Sequence, residues 1–144
     1  MLRKYLKIVI PILLITFSLN VTYAQNKTNA EVKELKKYDG KYPYEVKLKE
    51  NKALTIRLKK LLGQRYSFMI TKWGPETPIE VKENIFKSEF CEQHNCGSTN
   101  FIILVDFSTD KICVGIREEG QLTIYMESNT CPNAIDEWKA KNFD

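Results

Sequence analysis

The fold turns on Phe101-Ile102-Ile103-Leu104-Val105-Asp106-Phe107, followed by Ile112-Cys113-Val114-Gly115-Ile116-Arg117 and then Leu122-Thr123-Ile124-Tyr125-Met126. The first run is almost continuously apolar, as expected of a central strand covered on both faces. The second alternates Ile112, Val114 and Ile116 with Cys113, Gly115 and Arg117. The third alternates Leu122, Ile124 and Met126 with Thr123, Tyr125 and Glu127. Period two over this length means strands, and Glu118-Glu119-Gly120 supplies the hairpin turn between the last two. Working upstream, Ile79 to Lys82 and Ile85 to Phe90 flank a turn at Glu83-Asn84 and predict two more strands. Gly74-Pro75-Glu76-Thr77-Pro78 stops regular structure before them. The period then changes: Leu54, Leu58, Leu61 and Leu62 recur at i, i+4, i+7 and i+8, which marks one face of a helix over about residues 51–62. Lys59 and Lys60 lie on its wet side, and Gly63 stands where a C-terminal cap belongs. Tyr66 to Trp73 is ambiguous between strand and irregular chain. Downstream, Pro132 to Lys141 predicts a short closing helix anchored by Trp138. The fold class is α+β: an antiparallel sheet of about five strands, packed by a preceding helix and a short C-terminal helix.

The chain start reads as an export signal. Arg3, Lys4 and Lys7 precede an apolar stretch from Ile8 to Phe17, and Thr22-Tyr23-Ala24 offers small residues at a cleavage site, so the mature chain is expected to begin at Gln25. The apolar stretch is too short for a spanning helix. No cysteine stands near the cleavage site to carry a lipid, so no stable membrane anchor is expected. The organisation is then residues 1–24 signal peptide, 25–49 a loose polar lead-in with a helical turn or two over Ala30 to Lys37, and 50–144 a single domain. The full chain has 144 residues and a formal charge of +4. Three of those units belong to the signal, leaving +1, and no nucleic-acid-binding signature accompanies them. Nucleic acid is therefore not an expected partner.

Cys91, Cys96, Cys113 and Cys131 complete the chain's four cysteines. In an exported chain an even count suggests two disulfides. Three connectivities are open to four cysteines, and sequence alone does not select among them; the pairing expected is Cys91–Cys96 with Cys113–Cys131. Because Cys113 points away from the Ile112/Val114/Ile116 face, its bridge would tie the C-terminal segment across the other side of the sheet.

Cys91-Glu92-Gln93-His94-Asn95-Cys96-Gly97 holds two cysteines and the single histidine of the chain. It lies between two strands and should project from the sheet end, with His94 near the tip. Four explanations compete. It is a plain solvated turn, since surface loops are usually polar. It is a metal site, although a fourth ligand is missing and oxidation after export would remove the thiolates. It is a redox centre, although the spacing is not C-x-x-C. Or it is a preorganised binding loop, whose contacts convert more fully into affinity because little entropy is lost on docking. No cofactor and no metal is expected. Trp73 and Trp138 read as packing anchors, and Asp106, Glu118, Glu119 and Glu127 as solvated charges. No Ser/His/Asp arrangement or phosphate loop supports catalysis.

The same residues resemble a known family, the Ivy-type bacterial lysozyme inhibitors. The likeness lies in the Cys91–Gly97 loop, similar to that family's Cys-x-x-His-x-Cys-Gly with its central histidine, and in Gly74-Pro75-Glu76-Thr77-Pro78, which looks like its Gly-x-x-Thr-Pro turn. It spans roughly residues 50–128. Glu92-Gln93 replaces the family's usual lysine-proline, and Cys113 with Cys131 looks like an additional disulfide. The resemblance implies a periplasmic or secreted inhibitor of c-type lysozyme, from a host or a rival, that plugs the enzyme's cleft with His94. Asn95 and Gln93 would bond to cleft groups that normally meet sugar, and Gly97 would leave the loop in a conformation closed to other residues. The protein would not be an enzyme. Lytic transglycosylases are a further target class, and a homodimer is left open. The alternatives are an envelope binding or adhesion module and, less compatibly with a single histidine, a small secreted hydrolase. Residues 25–65 carry twelve basic and five acidic side chains, whereas residues 66–144 carry seven basic and thirteen acidic. The loop belongs to the acidic half, which would steer it toward a cationic enzyme.

Overall fold

The computed structural model describes residues 32–141; the expected export signal and the first residues of the expected helical turn lie outside them. Five antiparallel strands pair in chain order: β1 Glu80–Lys82, β2 Ile85–Cys91, β3 Asn100–Asp106, β4 Lys111–Glu118 and β5 Gln121–Met126. Register places Phe101 between Phe90 and Ile116, and Val105 between Phe86 and Ile112. Alternation then sorts the side chains into two layers. Phe86, Phe90, Phe101, Ile103, Val105, Ile112, Val114 and Ile116 face the main core, with Leu54, Leu58 and Leu62 of helix α1, Lys52–Leu62. Ile102, Leu104 and Cys113 face the other way, against Ile135 and Trp138 of the closing helix α3, Ala134–Ala140. The central strand is buried on both faces, as its unbroken apolar run requires.

Local signals explain the ends of α1. The Asn51 side chain accepts a hydrogen bond from the Leu54 N–H at 2.9 Å, satisfying one of the first-turn donors. Gly63 closes the helix at φ 56°, its N–H reaching the Lys59 carbonyl at 3.0 Å. The segment from Tyr66 to Trp73 is neither strand nor irregular. Most of it forms a second helix, α2, Arg65–Thr71. Tyr66, Met69, Ile70 and Trp73 recur at i, i+3, i+4 and i+7, and all four belong to or pack against the main core. Aromatic and β-branched composition hid that helical spacing, and burial of the apolar stripe overrode propensity.

The lead-in is polar but not loose where it is described. From residue 32 a helical turn passes into a 3-10 turn at Glu34–Tyr38, and a second 3-10 turn covers Leu48–Glu50. Val32, Leu35 and Leu48 are fully buried in the main core. The backbone of Gly40 and Lys41 clasps Ile79 through two hydrogen bonds of 2.8 Å. Isolated apolar residues among lysines carry no periodic signal, so this packing becomes visible only once the sheet exists.

Of the four carboxylates read as solvated charges, Glu119 is exposed and the other three are partly buried. Glu127 accepts from Arg57 and from the Ile112 N–H at 3.0 Å. Arg57 is buried on α1 and also donates to the Asp110 side chain and carbonyl, both at 2.8 Å. Burial alone would lower the Arg57 pKa, but hydrogen bonds to Glu127 and Asp110 outweigh it and hold the guanidinium more firmly charged. Asp106 caps the β3–β4 turn through the N–H groups of Ser108 and Thr109 and the Thr109 hydroxyl. Its burial would raise the carboxyl pKa, yet those bonds hold it below the ordinary value. Glu118 pairs with Arg65 at 2.6 Å.

Helix α3 is fastened at several points. Cys113 is bonded to Cys131, so the C-terminal segment does cross the far face of the sheet. Arg117 donates to the Lys139 and Lys141 carbonyls at 3.0 and 3.2 Å, capping the helix end. The Lys141 ammonium grips buried Glu89 at 2.6 and 2.8 Å. Trp138 sits in a notch left by Gly115, where a Cβ would lie 2.5 Å from Trp138 Cζ3 and 2.8 Å from Ile102 Cγ2. Gly115→Val should therefore force the indole out, at a cost of about 2–3 kcal/mol by overpacking. Calorimetry should show a melting temperature lower by about 10 °C, with Trp fluorescence shifted to the red. An unchanged melting temperature would mean that the notch does not seat Trp138.

Candidate functional site

Strand β2 ends at Cys91 and β3 begins at Asn100, so residues 92–99 leave the end of the sheet as one projecting loop. The base is rigid by packing. Trp73 stacks on Phe90 with ring centroids 3.6 Å apart, and Phe90 stacks on Phe101 at 5.0 Å. Cys91 is bonded to Cys96, with Cα atoms 4.9 Å apart. Both disulfides thus follow the expected pairing.

The Gly74–Pro78 segment braces one side of this base. Gly74 donates to the Cys91 carbonyl at 2.9 Å, Cys91 donates to the Pro75 carbonyl at 3.0 Å, and Thr77 donates to the Glu89 carbonyl at 3.1 Å. Glu76 bonds the Trp73 indole N–H and, at 3.0 Å, the Tyr44 N–H. Gly74 is needed for close approach: a Cβ there would lie 2.8 Å from the Gln93 nitrogen and 2.9 Å from the Cys91 oxygen. Both are backbone atoms, so the loop itself would have to move. Gly74→Ala should cost about 2 kcal/mol and displace the amide resonances of Cys91 to Asn95. Resonances at wild-type positions would show that the contact is not tight. On the opposite side, the two-residue β4–β5 turn has Glu119 and Gly120 both at positive φ. Its Gly120 N–H bonds the Ser98 carbonyl at 3.2 Å.

Within the loop, the Asn95 N–H bonds the Glu92 carbonyl at 3.0 Å, closing a β-turn over Glu92–Asn95. His94 is its third residue and adopts φ 63°. Glycine is the usual occupant of such a position, but histidine is among the few other residues enriched there. The left-handed residue of the loop is thus His94, while Gly97 does not have positive φ. A sequence shows which residue tolerates that conformation best, not which one the turn closure selects. Gln93, His94, Asn95 and Gly97 are exposed; Glu92 and Cys96 are half-buried.

Glu92 is not a free polar tip. One carboxylate oxygen pairs with the Lys72 ammonium, and the other accepts from Asn95 Nδ2 at 2.8 Å. Those hydrogen bonds, Lys72 first, hold its carboxyl below the ordinary carboxylate range. Asn95 Nδ2 also reaches Thr99 Oγ1 at 3.3 Å, and Asn100 Nδ2 donates to the Cys96 carbonyl at 2.8 Å. Lys72, Thr99 and Asn100 thus support the loop without having been singled out from the sequence. Thr99 and Asn100 are chain neighbours of the motif and were findable; Lys72 sits on another element, and no spacing rule reaches it.

The arrangement presents an exposed imidazole, a donor and acceptor in its neutral form, on a loop held from three sides. Among the described residues no group of three or more His, Cys, Asp or Glu side chains is placed to hold a metal. No described helix is long and apolar enough to cross a membrane. No curated protein and no solved structure matches the chain significantly. A family model described as inhibitor of vertebrate lysozyme (Ivy) does match, over residues 53–144, which takes in helix α1 from its second residue, the whole sheet, the His94 loop and the closing helix. The chain belongs to the Ivy family of lysozyme inhibitors.

Proposed function

We propose that this chain is exported to the periplasm or beyond, and that it blocks c-type lysozyme by inserting Cys91–Gly97 into the active-site cleft with His94 at the catalytic carboxyl groups. The observation that carries this is the exposed His94, held in a left-handed turn between a disulfide and a glycine-lined brace. Such an enzyme presents one protonated carboxylic acid and one carboxylate, about 5 Å apart. A neutral imidazole accepts from the acid through one ring nitrogen and donates to the carboxylate through the other. The loop then excludes substrate by occupying its site, and Gln93 lies exposed beside His94 to meet groups that bind sugar. Rigidity matters because ordering costs are met during folding rather than at binding.

A turbidity assay on cell-wall suspensions tests the proposal. Adding the protein to c-type lysozyme should abolish clearing near equimolar ratio; undiminished clearing at excess would refute it. Glycan binding together with undiminished clearing would point instead to an envelope adhesion module. Export is tested separately: the chain should appear in the osmotic-shock fraction with Gln25 as its first residue.

A further inference from the structure

We infer that Lys72 is a positioning residue for the His94 loop, acting through Glu92 and Asn95 to hold the turn in its binding conformation. The inference rests on the proposed insertion of that loop into lysozyme. Its observations are independent of the disulfide. Lys72 caps the C-terminal end of helix α2, its own N–H bonded to the Phe68 carbonyl at 3.1 Å, and it is followed by Trp73 and Gly74, both fixed against the loop base. Its ammonium pairs with Glu92, and Glu92 in turn accepts from Asn95 Nδ2 at 2.8 Å. These two residues are the first and last of the turn that sets His94 at φ 63°. The Cys91–Cys96 bond fixes the ends of the loop but leaves the dihedrals between them free. Gly74 and Gly120 meet the backbone of the loop from outside, whereas Lys72 acts on the side chains that close its turn.

Two physical expectations separate this role from others. The Lys72 side chain is 38% exposed and that of Glu92 23%. Such a pair adds little to global stability, so its removal should act on the loop and not on the fold. In addition, Lys72 is a cation close to a surface that meets a cationic enzyme. If only its charge mattered, removing it would tighten binding. If it positions the loop, removal weakens binding.

The test compares wild type with Lys72→Met, Lys72→Arg, Glu92→Ala and the Lys72→Met/Glu92→Ala double variant, all in the full protein. Affinity for c-type lysozyme is read by calorimetry, and loop order in the free protein by 15N relaxation. Lys72→Met should weaken binding about tenfold, the scale of one or two side chains losing preorganisation. Lys72→Arg should restore it, and the double variant should bind no more weakly than Glu92→Ala alone. Residues 92–99 should gain fast mobility in the Met variant and not in the Arg variant. Unchanged or tighter binding by Lys72→Met, additive losses in the double variant, or unaltered loop mobility would each overturn the inference. Should the wild type itself fail to bind lysozyme, the proposed function falls, while relaxation in the free protein still decides whether Lys72 orders the loop.

Discussion

His94→Ala is expected to weaken lysozyme inhibition about a hundredfold while leaving the domain folded. The size follows from the kind of contact: a residue at the centre of a desolvated interface costs about 2–4 kcal/mol when truncated, and about 2.7 kcal/mol is a hundredfold. Folding should survive because His94 is exposed and belongs to neither core cluster. One complication has a control. His94 adopts φ 63°, and a non-glycine residue in that region costs roughly 1–2 kcal/mol, so alanine could disturb the backbone as well as remove the ring. Asparagine tolerates left-handed φ without offering an imidazole. His94→Asn should therefore lose inhibition to nearly the same degree. Strong inhibition by His94→Asn with loss in His94→Ala would place the effect in the backbone. Full inhibition by both would move the site away from this loop. Turbidity measurements paired with circular dichroism distinguish these results.

Arg57→Met should produce the largest loss of stability, about 3 kcal/mol, because removing one partner of a buried ion pair leaves the others uncompensated. The Arg57 side chain is only 8% exposed, while those of Asp110 and Glu127 are 23% and 20% exposed. Partial access of water to both carboxylates keeps the expected cost at the lower end for buried pairs. Methionine retains most of the apolar stem, so lost packing contributes little. Urea unfolding should show a lower midpoint with an unchanged slope. Inhibition by the folded fraction should be unchanged, since Asp110 lies in the β3–β4 turn, at the opposite end of the sheet from His94. A midpoint within error of wild type would show that the desolvation of Arg57 cancels its bonds.

The elements legible from the amino-acid order share one property: their signal is local. The apolar run at Phe101 to Val105, the alternation around Val114, the turn at Glu119-Gly120 and the glycine stop at Gly63 each depend on neighbours within a few positions. Helix α2 carried a signal of the same kind, yet β-rich composition masked its Tyr66, Met69, Ile70, Trp73 spacing. The loop was legible too, because both cysteines and the histidine fall within six residues. What held the loop was not. Gly74 looks like a chain breaker in the sequence and proves to be a contact surface for Gln93. Lys72 lies twenty residues from Glu92.

The charge pattern shows the same division. By chain order, residues 25–65 are basic and residues 66–144 acidic. In space the halves interleave: Arg57 meets Asp110 and Glu127, and Arg65 meets Glu118. Glu92, beside His94, is matched by Lys72. An acidic half in the chain is therefore not an acidic face on the molecule, and steering by a segregated charge weakens as an explanation for partner choice. Sequence alone determined the strands themselves, the helix before the sheet and the loop that carries His94, because periodicity and turn chemistry act between near neighbours. Only the tertiary structure decided which charges pair, where the left-handed residue falls and what braces the loop. The braces and ion pairs join groups from 12 positions apart (Thr77 and Glu89) to 70 (Arg57 and Glu127), and no local pattern encodes that distance.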